Sequence, residues 1–137
     1  MQLVDTNVIS ELMRQRPDAG VLQWAKQSSA VYSRLALSVV CVDEIVYGLS
    51  RRPEAAKLSW FDGFCALHDL IEISETIARR AGAMRAVLAA RGQVRSQADM
   101  LIAATAQVHA LTLVTRNVRD FDGCSIAVLN PFADSIN

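Results

Sequence analysis

Four acidic or amide features stand where an apolar run gives way to a helix-forming segment. Asp5 follows Leu3-Val4, and Glu44 lies in the early turns of the segment opened by Ser38. Asp99 comes three residues after Ser96, and Asn117, with Asp120 just beyond it, follows Leu111-Thr112-Leu113-Val114. Every donor in this set is an oxygen. The two histidines, His68 and His109, and the three cysteines, Cys41, Cys65 and Cys124, form no C-x-x-C or H-x-x-x-H spacing, so a zinc site is not expected. Oxygen ligands without thiolate or imidazole select a hard ion, Mg²⁺ or Mn²⁺. Such an ion between converging carboxylates can activate water and stabilise charge on a phosphodiester during in-line displacement. This chemistry needs no histidine, so His68 and His109 read as partly buried structural residues, and Cys41 and Cys65 as small buried apolar ones.

Dispersed residues act together only if the fold gathers them, and the pattern of elements does so. Short apolar runs at Leu3-Val4, at 34–37, 71–73, 111–114 and 126–129 read as strands. Between them lie helical segments: Asn7 to Met13 with Thr6 as cap, one past Pro17-Asp18 through Trp24, and one from Ser38 to about Leu49. A helix after Pro53 carries Trp60, Phe61 and Phe64 to about Leu70. Next comes an amphipathic helix over 76–91 with Ile77, Ala81, Met84 and Leu88 at helical spacing, closed by Gly92. The last is opened by Ser96 and runs to about His109. Strands that are continuous apolar runs alternating with helices imply an α/β domain, a parallel sheet of four or five strands covered by helices on both faces. Helix N-termini and strand C-termini then share one edge, where open α/β sheets bind ligands. All four features fall on that edge.

Each has a structural alternative. Asp5 can cap the helix that follows it, and Ser96-x-x-Asp99 has the form of a capping box. Ile102, Ala103 and Ala106 share the face of Asp99, however, and a surface cap does not usually point along an apolar stripe. Glu44 can be a solvated helical charge. Asp43 beside it projects about 100° away around the helix, so one of the two faces the edge. Asp120 can be an ordinary loop aspartate.

Composition narrows the class further. The 137 residues fit one domain spanning 1–137, 52% are hydrophobic, and the formal net charge is zero. No apolar run approaches the roughly 20 residues that span a bilayer, and the N-terminal segment lacks a basic leader, so a cytoplasmic protein without membrane contact is expected. A mean hydropathy of +0.22 in an uncharged small chain points to apolar surface that a partner or a second copy covers. Arginine supplies all but two of the fourteen cations, a choice suited to phosphate contacts that GC-rich coding also produces.

Leu3-Val4-Asp5-Thr6-Asn7-Val8-Ile9-Ser10-Glu11 resembles the opening motif of PIN-domain toxins of the VapC type, in particular the FitB-like branch. Ala98-Asp99-Met100-Leu101-Ile102-Ala103-Ala104-Thr105-Ala106 resembles that family's central helix. The segment 113–121, Leu-Val-Thr-Arg-Asn-Val-Arg-Asp-Phe, resembles its late strand and loop. Asp43-Glu44-Ile45-Val46-Tyr47-Gly48 is similar to the glutamate helix, and Asn130-Pro131-Phe132 to a common ending. The resemblance spans essentially the whole chain and implies a PIN-like fold. It also implies a Mg²⁺-dependent endoribonuclease, with Mn²⁺ as a substitute, acting as the toxin of a bacterial type II toxin–antitoxin pair. The implied metal ligands are Asp5, Glu44 and Asp99. Asn117 stands where the family often has a fourth acid, with Asp120 as a compensating carboxylate, and Thr6 and Thr115 match hydroxyl positions. The implied partners are RNA, an antitoxin encoded in the same operon, and a second copy in a homodimer that assembles further with the antitoxin. A non-catalytic PIN-like binding module is the alternative. A haloacid-dehalogenase-type phosphatase is a weaker one, since it requires an aspartate where Asn7 stands and a lysine that neither Lys26 nor Lys57 supplies.

Overall fold

In the computed structural model, which describes residues 1–133, five parallel strands form one sheet in the order β3-β2-β1-β4-β5. The strands are β1 (Gln2–Val4), β2 (Ala36–Ser38), β3 (Asp69–Ile71), β4 (Thr112–Val114) and β5 (Val128–Leu129). Six helices flank them: α1 (Thr6–Leu12), α2 (Ala19–Val31), α3 (Val39–Arg51), α4 (Ala55–Leu67), α5 (Glu75–Ala90) and α6 (Gln97–Val108). A short 3-10 helix, Val118–Phe121, follows β4. Consecutive strand residues face opposite sides of a sheet. Leu3 and Val4, Ala36 and Leu37, and Leu113 and Val114 are all fully buried, so both faces of the central strands are covered. At the edge the cover ends, and Leu70 of β3 is exposed.

β1 lies centrally, with Leu3 opposite Ala36 on one side and Leu113 on the other. The chain builds outward from β1 through β2 to β3, then returns to lay β4 and β5 on the opposite flank. The strand order therefore reverses beside β1, and the C-terminal ends there flank the crevice where such sheets hold ligands.

The expected α/β architecture is present, with differences at element boundaries. Asp5, rather than Thr6, caps α1, its carboxylate accepting from the Thr6 amide. The second strand starts at Ala36 rather than Arg34. Leu35 instead donates its amide to His68 Nδ1 (3.0 Å), and Arg34 pairs with Asp69 (3.0 Å). The third strand is Asp69–Ile71 rather than 71–73, because Ala36–Ser38 align in parallel with Asp69–Ile71. That pairing also ends α4 at Leu67. The expected last strand over 126–129 contracts to Val128–Leu129. α2 runs on to Val31, stopping at extended Tyr32, well beyond Trp24. His68 is half-buried against the Phe64 ring, whereas His109 is exposed at the end of α6 and Cys65 is only half-buried. Among the described residues no helix is long and apolar enough to cross a membrane.

Candidate active site

Asp5 is the first residue beyond β1, and its amide continues the ladder by donating to the Val114 carbonyl (2.9 Å). Only 4% of it is exposed. A buried carboxylate is costly unless donors surround it, and here they come from the end of β4 and the start of α1. Oδ1 accepts the Thr6 amide (2.8 Å), and Oδ2 accepts the Thr115 hydroxyl (2.8 Å) and the Asn7 side-chain amide (3.3 Å). Asn7 Nδ2 also reaches Thr115 Oγ1 (3.1 Å), while its Oδ1 accepts the Arg116 amide (3.0 Å). Thr115 Oγ1 in turn accepts the Asn117 amide (3.1 Å). Asn7 thus ties the start of α1 to the loop after β4. The sequence reading gave Asn7 no role. Its only signal is its place in the first turn after a strand-end aspartate, from which a short amide can turn back across the sheet edge.

Burial raises the Asp5 carboxyl above the usual carboxylate range. The Thr115 and Thr6 hydrogen bonds oppose that rise, and the charges of Asp99 and Glu44 add to it. Both neighbours therefore lie close enough to be felt.

Glu44 reaches the site from the second turn of α3, with Oε1 accepting the Thr6 hydroxyl (2.8 Å). Cys41 and Ile45 on the adjoining stripe are buried, which fixes the helix phase; Asp43 and Glu44 are both exposed, and of the two only Glu44 has a hydrogen bond to this cluster. Cys41 lies with Asp5 and Glu44 in a group whose ligand atoms are all within 4.8 Å of one another. Its thiol donates to the Val4 carbonyl (3.8 Å). Burial, with the Asp5 charge next, pushes the thiol pKa up to about 12, so it stays protonated and is a poor ligand.

Asp99 occupies the first turn of α6, where its amide donates to the capping Ser96 hydroxyl (3.0 Å). The capping geometry is real, and Ser96 contacts both the backbone and the carboxylate of Asp99. The residue is half-buried, above a helix whose Ile102, Ala103 and Ala106 are all buried. Desolvation raises the Asp99 carboxyl. Ser96 lowers it, Asp120 and Glu44 raise it, and Arg95 lowers it least. Asp120 is exposed on the 3-10 helix and faces Asp99 electrostatically. Asn117 is exposed at that helix's start and contributes its backbone amide. The five residues singled out in the sequence thus fall into a tight pair, Asp5 and Glu44, and a looser group of Asp99, Asp120 and Asn117. Carboxylates that raise one another at a partly desolvated edge favour a cation among them. The donor set, carboxylate oxygens with hydroxyls behind them, fits a hard divalent ion.

Comparison with known proteins gives the family of this fold. Residues 3–123 match the PIN domain family. "Toxin FitB" of Neisseria gonorrhoeae (strain ATCC 700825 / FA 1090) is 32% identical over 98% of this chain and 100% of its own. "VapC ribonuclease Y4jK" of Sinorhizobium fredii (strain NBRC 101917 / NGR234) is 32% identical over 96% of this chain and 98% of its own. Among solved structures, that of FitAcB from Neisseria gonorrhoeae superposes with a TM-score of 0.83 at 29% identity, covering 96% of this chain and 98% of that one.

Proposed function

The chain belongs to the PIN-domain family, and from that premise we propose that residues 1–137 form one nuclease unit. In this reading it is the toxin half of a type II toxin–antitoxin pair and hydrolyses RNA with a divalent metal. The observation that carries the reading is the convergence of Asp5 and Glu44, with ligand atoms within 4.8 Å of each other, beside the strand-order reversal at β1, where the charge of Asp99 also reaches Asp5. Asp5, Glu44 and Asp99 would hold the ion, Mg²⁺ or in substitution Mn²⁺, which when bound supplies charge neutralisation and polarises water and phosphate. Thr115, Asn7 and the Thr6 amide fix the direction of the Asp5 carboxylate, and the Thr6 hydroxyl fixes Glu44. Asp120 and Asn117 sit at the outer rim, where they can orient water without adding to the buried charge. The full carboxylate set supports catalysis over a binding module that has lost it.

The same crowding of like charge suggests how the enzyme is silenced. A partner's tail laid across this edge can place an arginine among the carboxylates, where it takes the position of the ion. One structural neighbour, at 28% identity and a TM-score of 0.75, is a toxin-antitoxin complex from Klebsiella pneumoniae, and for this chain the partner would be a cognate antitoxin encoded in the same operon. Exposed apolar residues such as Tyr47, Leu67 and Val94 supply surface for that partner and for a homodimer in a cytoplasmic setting. The deciding experiment is cleavage of a labelled RNA by the purified chain. EDTA should abolish it and Mg²⁺ restore it, with Ca²⁺ a poor substitute. Undiminished cleavage in EDTA would remove the metal mechanism, and light scattering showing a clean monomer would remove the dimer.

A further inference from the structure

The two flanks of the carboxylate cluster differ in chemistry. On the α3–α4 side Glu44 borders a cavity of about 290 Å³ also lined by Met13, Leu49, Arg52, Glu54 and Lys57, where the acidic Glu44 and Glu54 offset the cations and Lys57 is already paired with Glu54 (3.3 Å). On the other side the loop after β4 and the 3-10 helix surround a cavity of about 380 Å³ lined by Arg116, Asn117, Val118, Arg119, Asp120 and Asn130. Its two arginines are tied to the active-site framework. The Arg116 amide donates to Asn7, which touches Asp5, and its guanidinium lies over the buried Phe132 ring, 4.5 Å from the centroid. The Arg119 carbonyl accepts from Arg95 Nη1 (2.9 Å), and Arg95 sits close enough to Asp99 to lower its pKa. The Arg119 guanidinium makes no ion pair among the described residues.

We propose that this arginine-lined cavity is a subsite for a backbone phosphate of single-stranded RNA, next to the bond being cleaved. This places part of the RNA path over the β4–3-10 side of the site. The proposal rests on the ribonuclease reading. A guanidinium held by ring stacking matches a phosphodiester's paired oxygens with little ordering left to occur on binding. Asp120 at the rim keeps the cavity from being uniformly positive, which sets the phosphate against the arginines and away from the carboxylates. Contacts of this kind position a strand without reading its sequence. The subsite is therefore a register-setting contact, and it is compatible with a chain of zero net charge because the cations are local rather than global.

The test measures kcat/KM for an unstructured, mixed-sequence oligoribonucleotide as a function of NaCl. For Arg119→Gln, kcat/KM should fall roughly threefold to tenfold, through KM, and the slope of log kcat/KM against log salt should shrink by about 0.7, the value for one phosphate on a single strand. Arg119→Lys should retain most of the slope because it keeps the charge. Arg79→Gln, on exposed α5 and paired with Glu75, should match wild type. If wild type cleaves RNA but Arg119→Gln keeps the full slope, or Arg79→Gln loses as much, the subsite is wrong and the nuclease reading stands. If wild type cleaves no RNA under any metal, both fall.

Discussion

Asp5 and Asp99 carry the same functional group at the same sheet edge, yet the protein holds them in opposite ways. Asp5 is buried at a strand end and receives hydrogen bonds from Thr6, Asn7 and Thr115, drawn from elements about 110 residues apart in sequence. Asp99 is half-buried on the first turn of one helix, and its anchor is local: Ser96, three residues earlier, meets its backbone amide and its carboxylate. Burial raises both carboxyls, the Glu44 charge adds to both, and the Asp99 charge adds to the rise at Asp5. The comparison suggests a division of labour: one carboxylate fixed in direction by partners from distant elements and one held only by its own helix turn, with more room to adjust when an ion or a substrate arrives. A site built from two rigid carboxylates would have to match the ion's geometry in advance on both sides. A site with two loose ones would lose the preorganisation on which catalysis depends.

The strongest way to break this picture is to remove the fixed charge. Asp5→Asn should abolish metal-dependent RNA cleavage in a gel assay while circular dichroism still reports the α/β fold. Asp99→Asn should also cost orders of magnitude in cleavage. Because the cap at that turn is the Ser96 hydroxyl, stability should change by well under ~1 kcal/mol. A normally active Asp99→Asn enzyme would reduce Asp99 to a cap neighbour. Glu44→Gln should be similarly crippled and Asp43→Asn should not, since only Glu44 meets Thr6; equal losses would mean that α3 is phased wrongly.

A smaller effect sharpens the comparison. Thr115→Val or Asn7→Ala leaves every carboxylate in place but frees Asp5 to turn. Loss of a group that orients a ligand typically costs about 10–100-fold in metal affinity or activity. Titration calorimetry with Mn²⁺ should show that loss for both variants. Around Asp99 the one such partner is Ser96, a neighbour on the same turn, and Ser96→Ala should weaken α6 by about 1 kcal/mol with a smaller loss of Mn²⁺ affinity than Thr115→Val. If Ser96→Ala weakened the ion as much as Thr115→Val, the two carboxylates would be equally scaffolded.

Much of this site could be read from the sequence because strand and helix termini are locally encoded. An apolar run ending in Asp5, Ser38 opening α3, and Ser96 opening α6 each announce where a chain segment reaches the edge. Parallel topology then brings those ends together. What the sequence concealed depends on register and side-chain reach. Asn7 bridges to Thr115 only because β1 and β4 are adjacent, and nothing in the segment 5–9 encodes that neighbour. The second and third strands lay two residues off the apolar runs because His68 and Asp69 satisfy Leu35 and Arg34 from across the chain. The arginine cavity is likewise a product of where the 3-10 helix comes to rest.

The smallest expected effect concerns pH, and it tests the burial cost that Asp5 and Asp99 share. Both carboxyls are raised in the folded protein above their unfolded values, so in the intervening pH window the native state binds more protons than the unfolded one. Stability then falls as pH rises through that window, the reverse of what a salt-bridged aspartate gives. The metal-free protein should therefore melt at a higher temperature in the mildly acidic range than at neutral pH. Asp18 works against this trend. Its carboxylate accepts amides from Ala133, Val21 and Gly20 and is lowered, so its contribution is lost only in stronger acid, below its ordinary range. The two effects are separated by pH, and the melting temperature should pass through a maximum on the acidic side of neutrality. Asp99→Asn should flatten the neutral limb of that curve, and saturating Mg²⁺ should flatten it too by neutralising the ionised pair. A metal-free protein whose melting temperature rises steadily to neutral pH would mean that the carboxylates are already compensated within the chain, and the case for an ion between them would lose its electrostatic footing.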